Sequence, residues 1–365
     1  MKAMPDELIL SGQHFKRDQL LDYARTLLES ENVEWKQSLG QFILHWLDNR
    51  PFVEVMTSGS TGIPKTIRLS KAAMVASARL TGQFFGLQPG QHALLCLRVN
   101  YIAGLMMVVR AMVHGLNLIT VPPNNSPLEF VPANATIHFA AMLPVQVMNA
   151  LESETLKTKL EAIQTIIVGG APITPSLEKD IRVLKNNVFA TYGMTETITH
   201  IAVRRMSGEE SSEDFTLLPG ITISTDKRGC LIADVPYLNE ENPVVTNDVV
   251  HLSSSLTFRW LGRFDNVINS GGLKLFPEVI EQKIAPLIFH RFFISSVTDD
   301  KLGEVPVLVV EKSEMLCKEY LDELHEKMSG LLRKTELPRH IYCTSAFHEG
   351  ENGKINRKKT LKTLL

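Results

Sequence analysis

Apolar residues recur at helical spacing between His14 and Asn49. Leu20, Leu21, Tyr23, Leu27 and Leu28, then Trp35, Leu39, Phe42, Ile43 and Trp46, alternate with charged positions and predict two amphipathic helices. An apolar run then leads into a glycine-rich stretch, Thr57–Thr66. Beyond it Ser70 is placed to cap a helix through Met74, Ser77 and Leu80 to Phe85, where Gly86 and Pro89-Gly90 stop it. His92–Leu97 reads as a buried strand, Ala103–Val113 as a helix and Leu116–Val121 as a strand. Further β-type runs at Thr136–Phe139, Thr165–Val168 and Asn187–Ala190 are separated by helical patterns at Pro144–Leu151 and Pro175–Lys185. Strands alternating with helices predict an α/β fold built on mostly parallel sheet.

The pattern changes at Leu217, where short strands, the turn Asp226-Lys227-Arg228-Gly229 and many prolines predict a β-rich subdomain. It changes again near Asn266, with a helix over Pro277–Ile284, strands at Phe292–Val297 and Val305–Val310, a helix over Leu316–Arg333 and a basic tail. A boundary at Phe264–Asn266 therefore divides a large N-terminal domain, residues 1–264, from a small α+β C-terminal domain, residues 265–365.

Candidate chemistry begins in the glycine-rich stretch, Thr57-Ser58-Gly59-Ser60-Thr61-Gly62-Ile63-Pro64-Lys65-Thr66. Two glycines let the backbone turn and aim N–H groups outward, hydroxyls add donors and Lys65 adds positive charge, a composition suited to phosphate. A Walker loop wants glycine immediately before its Lys-Ser/Thr pair. Pro64 occupies that position, lacks an N–H and disfavours a P-loop NTPase.

A second motif, Tyr192-Gly193-Met194-Thr195-Glu196-Thr197, follows an apolar strand, and strand ends are where α/β sheets place ligand groups. Tyr192 offers an aromatic face for a purine, Gly193 close approach, Thr195 a donor for phosphate and Glu196 a ligand for Mg²⁺. A capped helix start explains the same residues about equally well. Val168-Gly169-Gly170-Ala171-Pro172 ends another strand. Asp248 stands in a largely apolar run, Gly262-Arg263-Phe264-Asp265-Asn266 leads to Ser270-Gly271-Gly272, and Gly353-Lys354 lies near the end.

Composition narrows the partners. The 365 residues are 44% hydrophobic, enough for a substantial core, and a formal net charge of −2 gives no reason to expect nucleic acid. Four scattered cysteines without a CxxC pair suggest neither zinc nor a disulfide framework and fit a reduced cytoplasm. The first ten residues lack a signal-peptide pattern. The longest apolar stretch, around Ile102–Leu118, is interrupted by Arg110 and His114, so no membrane span is expected.

In their joint order these motifs resemble the successive core motifs of the adenylate-forming enzymes, the acyl-CoA synthetase and luciferase superfamily, over about Thr57 to Lys358. The resemblance implies that a carboxylic acid attacks the α-phosphate of ATP with Mg²⁺ present, and that a thiol such as coenzyme A then displaces AMP. It implies that Ser58, Ser60, Thr61 and Lys65 hold the β and γ phosphates, in a cofactor-binding loop that also includes Thr57, Gly59 and Gly62. Gly169, Gly170, Ala171, Tyr192 and Gly193 would form the adenine slot, with Thr195 near the α-phosphate and Glu196 on the metal. Asp248 and Arg263 would grip the ribose. Lys354 would enter from a mobile C-terminal lid to stabilise charge on the phosphoryl group. Asp265 would be the hinge and Ser270-Gly271-Gly272 the lining of the thiol tunnel.

Thr66 stands where the family usually has glycine, and Thr246-Asn247-Asp248 replaces Thr-Gly-Asp. Tyr101-Ile-Ala-Gly104 replaces a His-x-x-Gly segment, and the N-terminal region is short. Within the family the chain most resembles the short o-succinylbenzoate–CoA ligases of menaquinone biosynthesis. That reading makes Thr197, Thr199 and His200 candidates for the acid pocket, with Arg98 or Arg110 as its cation. Another aryl or acyl acid, a carrier-protein thiol, or a catalytically silent nucleotide-binding module are the alternatives. A homodimer is a common outcome for such enzymes.

Overall fold

The computed structural model describes residues 4–29, 33–57, 65–238, 243–312, 318–349 and 355–365. In chain order the large part comprises β1 (Leu8–Leu10), β2 (Gln13–Phe15), α1 (Arg17–Leu28), α2 (Glu34–Leu47), β3 (Phe52–Thr57), β4 (Lys65–Ser70), α3 (Lys71–Phe85), β5 (His92–Leu95), α4 (Ile102–His114) and β6 (Asn117–Thr120). It continues with β7 (Phe139–Met142), α5 (Pro144–Leu151), α6 (Glu154–Glu161), β8 (Thr165–Val168), α7 (Pro175–Arg182), β9 (Asn187–Gly193), β10 (His200–Arg205), β11 (Phe215–Leu217), β12 (Thr222–Thr225), β13 (Cys230–Asp234), β14 (Val244–Leu252) and β15 (Thr257–Arg263). The small part holds β16 (Ile268–Ser270), β17 (Leu273–Leu275), α8 (Pro277–Ile284), β18 (Phe292–Asp299), β19 (Gly303–Glu311), α9 (Lys318–Leu331), β20 (His340–Thr344) and α10 (Arg357–Lys362).

One 13-stranded sheet runs β12-β13-β14-β15-β11-β10-β9-β8-β7-β5-β6-β1-β2. From β1 to β9 its neighbours are parallel, and from β9 to β12 they are antiparallel. The predicted β-rich stretch is thus no separate layer but the continuation of the same sheet past β9. A separate sheet, β17-β16-β19-β18 with β20 on β19, forms the small unit after residue 266.

The local signals explain most elements. Ser70 accepts the Ala73 N–H, and Gly86 closes α3 in the left-handed conformation. The parallel strands are continuous apolar runs because both faces are covered; all four residues of β7 and of β8 are buried. Leu94, Met106, Phe139, Ile166 and Val188 belong to the resulting core, and a second core under β16, β18 and β19 contains Ile280, Ile294 and Leu308.

Several expectations shift. The helical pattern begins at Arg17, because Gln13–Phe15 pairs back onto β1 as an edge hairpin. The strand expected at Thr136–Phe139 lies at Phe139–Met142, the part that fits between β5 and β8. The stretch after the glycine-rich loop is a strand before it is a helix: Lys65–Ser70 alternates in period two and pairs with Phe52–Thr57, its Ile67 and Leu69 turned inward. Helix α6, capped by the Ser153 hydroxyl, was not anticipated. Among the described residues no helix is long and apolar enough to cross a membrane.

Candidate active site

The parallel half of the sheet brings the carboxyl ends of β8 and β9 side by side, Val168 opposite Ala190. Gly169-Gly170-Ala171 therefore leaves the sheet next to Tyr192-Gly193. Space there is reserved: a Cβ on Gly169 would stand 2.2 Å from the Thr191 hydroxyl, and one on Gly193 2.4 Å from the Thr199 carbonyl. Both glycines are required by close approach, not by turn geometry.

The antiparallel half supplies the other wall. Asp248 on β14 lies directly opposite Arg263 on β15. The Tyr192 phenol donates to Asp248 Oδ2 at 2.7 Å, and Arg263 Nη1 lies 3.5 Å from Oδ1. Arg263 Nη2 also reaches Oδ2 of Asp265 at 3.8 Å. Burial first, then the Asp248 charge, raise the Tyr192 phenol above its ordinary range, so it stays a hydrogen-bond donor. Its ring rests edge-on against Phe258 and tilted against Phe215. The tyrosine is thus half-buried, its ring packed on two phenylalanines and its hydroxyl engaged by Asp248.

Asn247, where the family has glycine, has a structural account. Its Oδ1 accepts from Arg228 Nη1 at 2.9 Å, and Arg228 Nη2 reaches the Thr246 carbonyl at 3.3 Å. The same guanidinium covers the Phe264 ring, centroid 5.1 Å away. Arg228 therefore braces the strand that carries Asp248 against the segment that carries Asp265. It stands in the turn Asp226–Gly229, readable in sequence only as a turn.

Thr195–Thr197 forms a single 3-10 turn after β9, with Glu196 exposed. The described residues contain no cluster of three or more metal-ligating side chains. A lone exposed carboxylate suits Mg²⁺ that takes its remaining ligands from substrate phosphates and water, which is how this ion is usually held.

The three acid-pocket candidates part company. Thr197 is fully buried and its hydroxyl faces the Met194 and Thr199 carbonyls, at 3.0 and 2.7 Å. His200 is buried with Nε2 3.4 Å from the Thr81 hydroxyl; burial and the nearby Arg110 hold its imidazolium well below the usual range. Thr199 alone is partly exposed, with its hydroxyl 2.8 Å from that of Ser77. Between them, Ile198 has φ +67° and ψ −58°, and the Thr199 N–H donates to the Thr197 carbonyl at 2.8 Å. This is a γ-turn of the strained kind, costing on the order of 1–3 kcal/mol at a β-branched residue. Tyr237, absent from the sequence reading, braces it by donating to the Thr197 carbonyl at 2.9 Å.

Arg110 closes this cluster. It is 2% exposed in the middle of α4, its Nε 3.4 Å from the Thr81 hydroxyl and Nη1 3.7 Å from the Met107 sulfur. Among the described residues no carboxylate pairs with it, and burial lowers its guanidinium to about 10. Arg98, the other cation considered, is exposed.

In the small unit, Ser270 is buried and Gly271 and Gly272 follow at φ +57° and +82°, with Leu273 half exposed beside them. Thr57 and Lys65 pair as the last and first residues of β3 and β4, so the hairpin brackets the glycine-rich loop. Ser58, Gly59, Ser60, Thr61 and Gly62 lie outside the described residues, as does Lys354.

At the carboxyl ends of β8 and β9 the structure brings the paired glycines and Tyr192 beside the Asp248–Arg263 pair, an arrangement that fits an adenylate-forming enzyme. The chain belongs to the AMP-binding enzyme family, whose model matches residues 21–231, more than half of the sequence. It is similar to the acyl-CoA synthetase (AMP-forming)/AMP-acid ligase II-like protein of Dyadobacter fermentans, at 36% identity and TM-score 0.64 over 94% of this chain and 97% of that one. It is 28% identical over 313 residues to the 2-succinylbenzoate–CoA ligase of Salmonella typhimurium, covering 80% of this chain and 66% of that enzyme. It is 25% identical over 335 residues to the probable 2-succinylbenzoate–CoA ligase of Mycobacterium tuberculosis, covering 85% and 84%. The o-succinylbenzoate coenzyme A synthetase of Bacillus subtilis, solved with ATP and magnesium, shares the fold at TM-score 0.74 over 99% of this chain and 98% of that one, with 15% identity. By class the chain is an AMP-forming acid–thiol ligase.

Proposed function

We propose that the protein activates o-succinylbenzoate with ATP and transfers the acyl group to coenzyme A. The observation that carries the acid assignment is the buried Arg110, a cation without a carboxylate partner among the described residues, next to Thr81, His200 and the Thr199 segment. Burying such a charge alone is costly, and a second substrate carboxylate, received directly or through water, would offset that cost. The names of the Salmonella and Mycobacterium relatives support the same acid.

In this reading the substrate carboxylate attacks the α-phosphorus of ATP and expels pyrophosphate. Asp248 accepts the ribose hydroxyls, held in place by Tyr192 and Arg263. Ser58, Ser60, Thr61 and Lys65 bind the β and γ phosphates, Gly169-Gly170-Ala171 lines the base, and Thr195 donates to the α-phosphate. Glu196 would hold Mg²⁺, which would neutralise phosphate charge. Lys354 places a cation at the oxygens where negative charge grows, an effect worth about 10²–10³ in rate for one well-placed donor. The small domain, residues 265–365, then turns about Asp265, withdrawing Lys354 and bringing Ser270-Gly271-Gly272 to the path of the thiol.

The test follows pyrophosphate, AMP and thioester with Mg-ATP, coenzyme A and a panel of acids. The reading expects o-succinylbenzoate to give the highest kcat/KM. Product no greater than with benzoate would refute the acid assignment, and release of AMP without thioester would refute coenzyme A as the acceptor.

A further inference from the structure

Inside the small unit a mostly buried ionic cluster joins α8, α10 and the chain that leaves β15 after Arg263, and the adenylation chemistry does not use it. Glu278 and Glu281, three positions apart on α8, share one helix face. Arg357, the first residue of α10, meets Glu281 with both arms, Nη1 2.7 Å from Oε1 and Nη2 2.9 Å from Oε2, and lies 3.7 Å from Glu278 Oε1. Its Nη1 also donates to the Ile294 carbonyl at 3.0 Å, and its guanidinium stands over the Phe293 ring.

The cluster reaches the end of β15. Asn266 Nδ2 donates to Glu278 Oε1 at 2.6 Å, and the second oxygen of Glu278 is buried with no hydrogen-bond partner among the described residues. That oxygen faces Gly262: a Cβ there would lie 2.2 Å from it, and φ +146° already excludes most other residues. Burial lifts the Glu281 carboxyl to about 7 in spite of the guanidinium beside it.

As a source of stability this arrangement is poor. One cation faces two partly buried carboxylates, one oxygen has no partner among the described residues, and apolar residues of similar volume commonly do as well. What a bidentate fork supplies is direction. The chain just before Arg357 shares the same frame, since Ile355 bridges Glu349 and the Asn356 N–H donates to the His348 carbonyl at 2.7 Å.

We propose that Arg357 is a positioning residue of the ligase reaction: through Glu281, Glu278 and Asn266 it fixes how the C-terminal α10 segment stands on α8 and on the chain just after Arg263, within the small unit. It touches no substrate. The inference rests on the adenylate-forming reading, in which Lys354, three positions earlier in sequence, serves the adenylation step.

The experiment measures the two half-reactions separately in the full chain, using whichever acid releases pyrophosphate fastest. Adenylation is followed by pyrophosphate, and thioester formation is started from supplied acyl-adenylate and coenzyme A. Arg357→Ala is expected to lower the adenylation kcat by about 10–100-fold, the scale of a misplaced group, with KM for ATP within about twofold and the thioester step within about threefold. Arg357→Lys, keeping the charge without the fork, should fall between Arg357→Ala and the parent. Wild-type rates in Arg357→Ala, or equal loss in both halves, would overturn the proposal. Lys354→Ala keeps the two levels apart: unchanged adenylation there refutes the underlying reading, whereas its loss beside an intact Arg357→Ala refutes only the positioning role. Should Arg357→Ala fail to fold, Glu281→Gln and Arg357→Lys carry the same readout.

Discussion

The Tyr192 hydroxyl and the Asp248 carboxylate, 56 positions apart in the chain, meet at 2.7 Å. They come from the two halves of one sheet, Tyr192 from the last parallel strand and Asp248 from the antiparallel extension. Their meeting ties the strand that ends beside Gly169-Gly170 to the strand facing Arg263, across the proposed nucleotide site.

Tyr192→Phe removes that donor while keeping the ring. A buried hydrogen bond is worth about 1 kcal/mol net, and more when the acceptor is charged, so ATP affinity should fall about five- to tenfold. Calorimetric titration of ATP checks this. An unchanged dissociation constant would show that Asp248 is oriented by Arg263 alone.

Arg110 carries the acid assignment and can be separated from stability. Arg110→Met removes a buried charge with no ionic partner among the described residues and fills similar volume, so thermal stability should hold or rise. In the same variant kcat/KM for o-succinylbenzoate should fall at least about tenfold, since a charge-assisted contact is worth about 1.5–3 kcal/mol. Retained kcat/KM would exclude Arg110 as partner of the second carboxylate.

The site residues were legible from sequence only where chemistry and backbone need coincide. Paired glycines after β8, the Tyr-Gly step ending β9 and Arg263 ending β15 sit at strand ends, whereas Asp248 sits mid-strand in β14, opposite Arg263. Thr197 and His200 were not distinguishable from cleft residues, because a strained turn at Ile198 turns both inward and no sequence signal marks such a turn at isoleucine. Arg228 and Tyr237 act through tertiary contacts across 18 to 40 positions, which periodicity does not encode. The fold was legible wherever apolar runs were long. It failed at β2 and β4, three- and six-residue strands whose pairing depends on a partner hairpin arm.

His200 predicts acid sensitivity. Its folded-state pKa is depressed well below 6.5 by burial and by Arg110, so folding favours the neutral ring. The stability it contributes is complete above about pH 6.5 and is lost as pH falls toward the folded value. Thermal unfolding at pH 7.5 and 5.5 should therefore show a smaller pH-dependent loss in His200→Gln than in the parent. Equal losses would mean that His200 is not buried as a neutral ring.

The hinge yields a kinetic prediction. Asp265 follows Phe264, the ring that Arg228 covers, and its carboxylate lies 3.8 Å from Arg263; if it is the proposed hinge, Asp265→Pro would fix φ where rotation is needed. Adenylate formation and thioester formation should then respond unequally, one half-reaction slowing at least about tenfold. Both proceeding at parent rates would argue against rotation at this residue.

The most direct measurement compares Lys354→Ala with the parent in a single-turnover assay containing Mg-ATP and o-succinylbenzoate. The expected result is acyl-adenylate and pyrophosphate in the parent, a loss of about 10²-fold or more in the variant, and near-parent thioester synthesis when the variant receives preformed adenylate. A parent enzyme that binds ATP yet releases no pyrophosphate with any carboxylic acid would contradict the account.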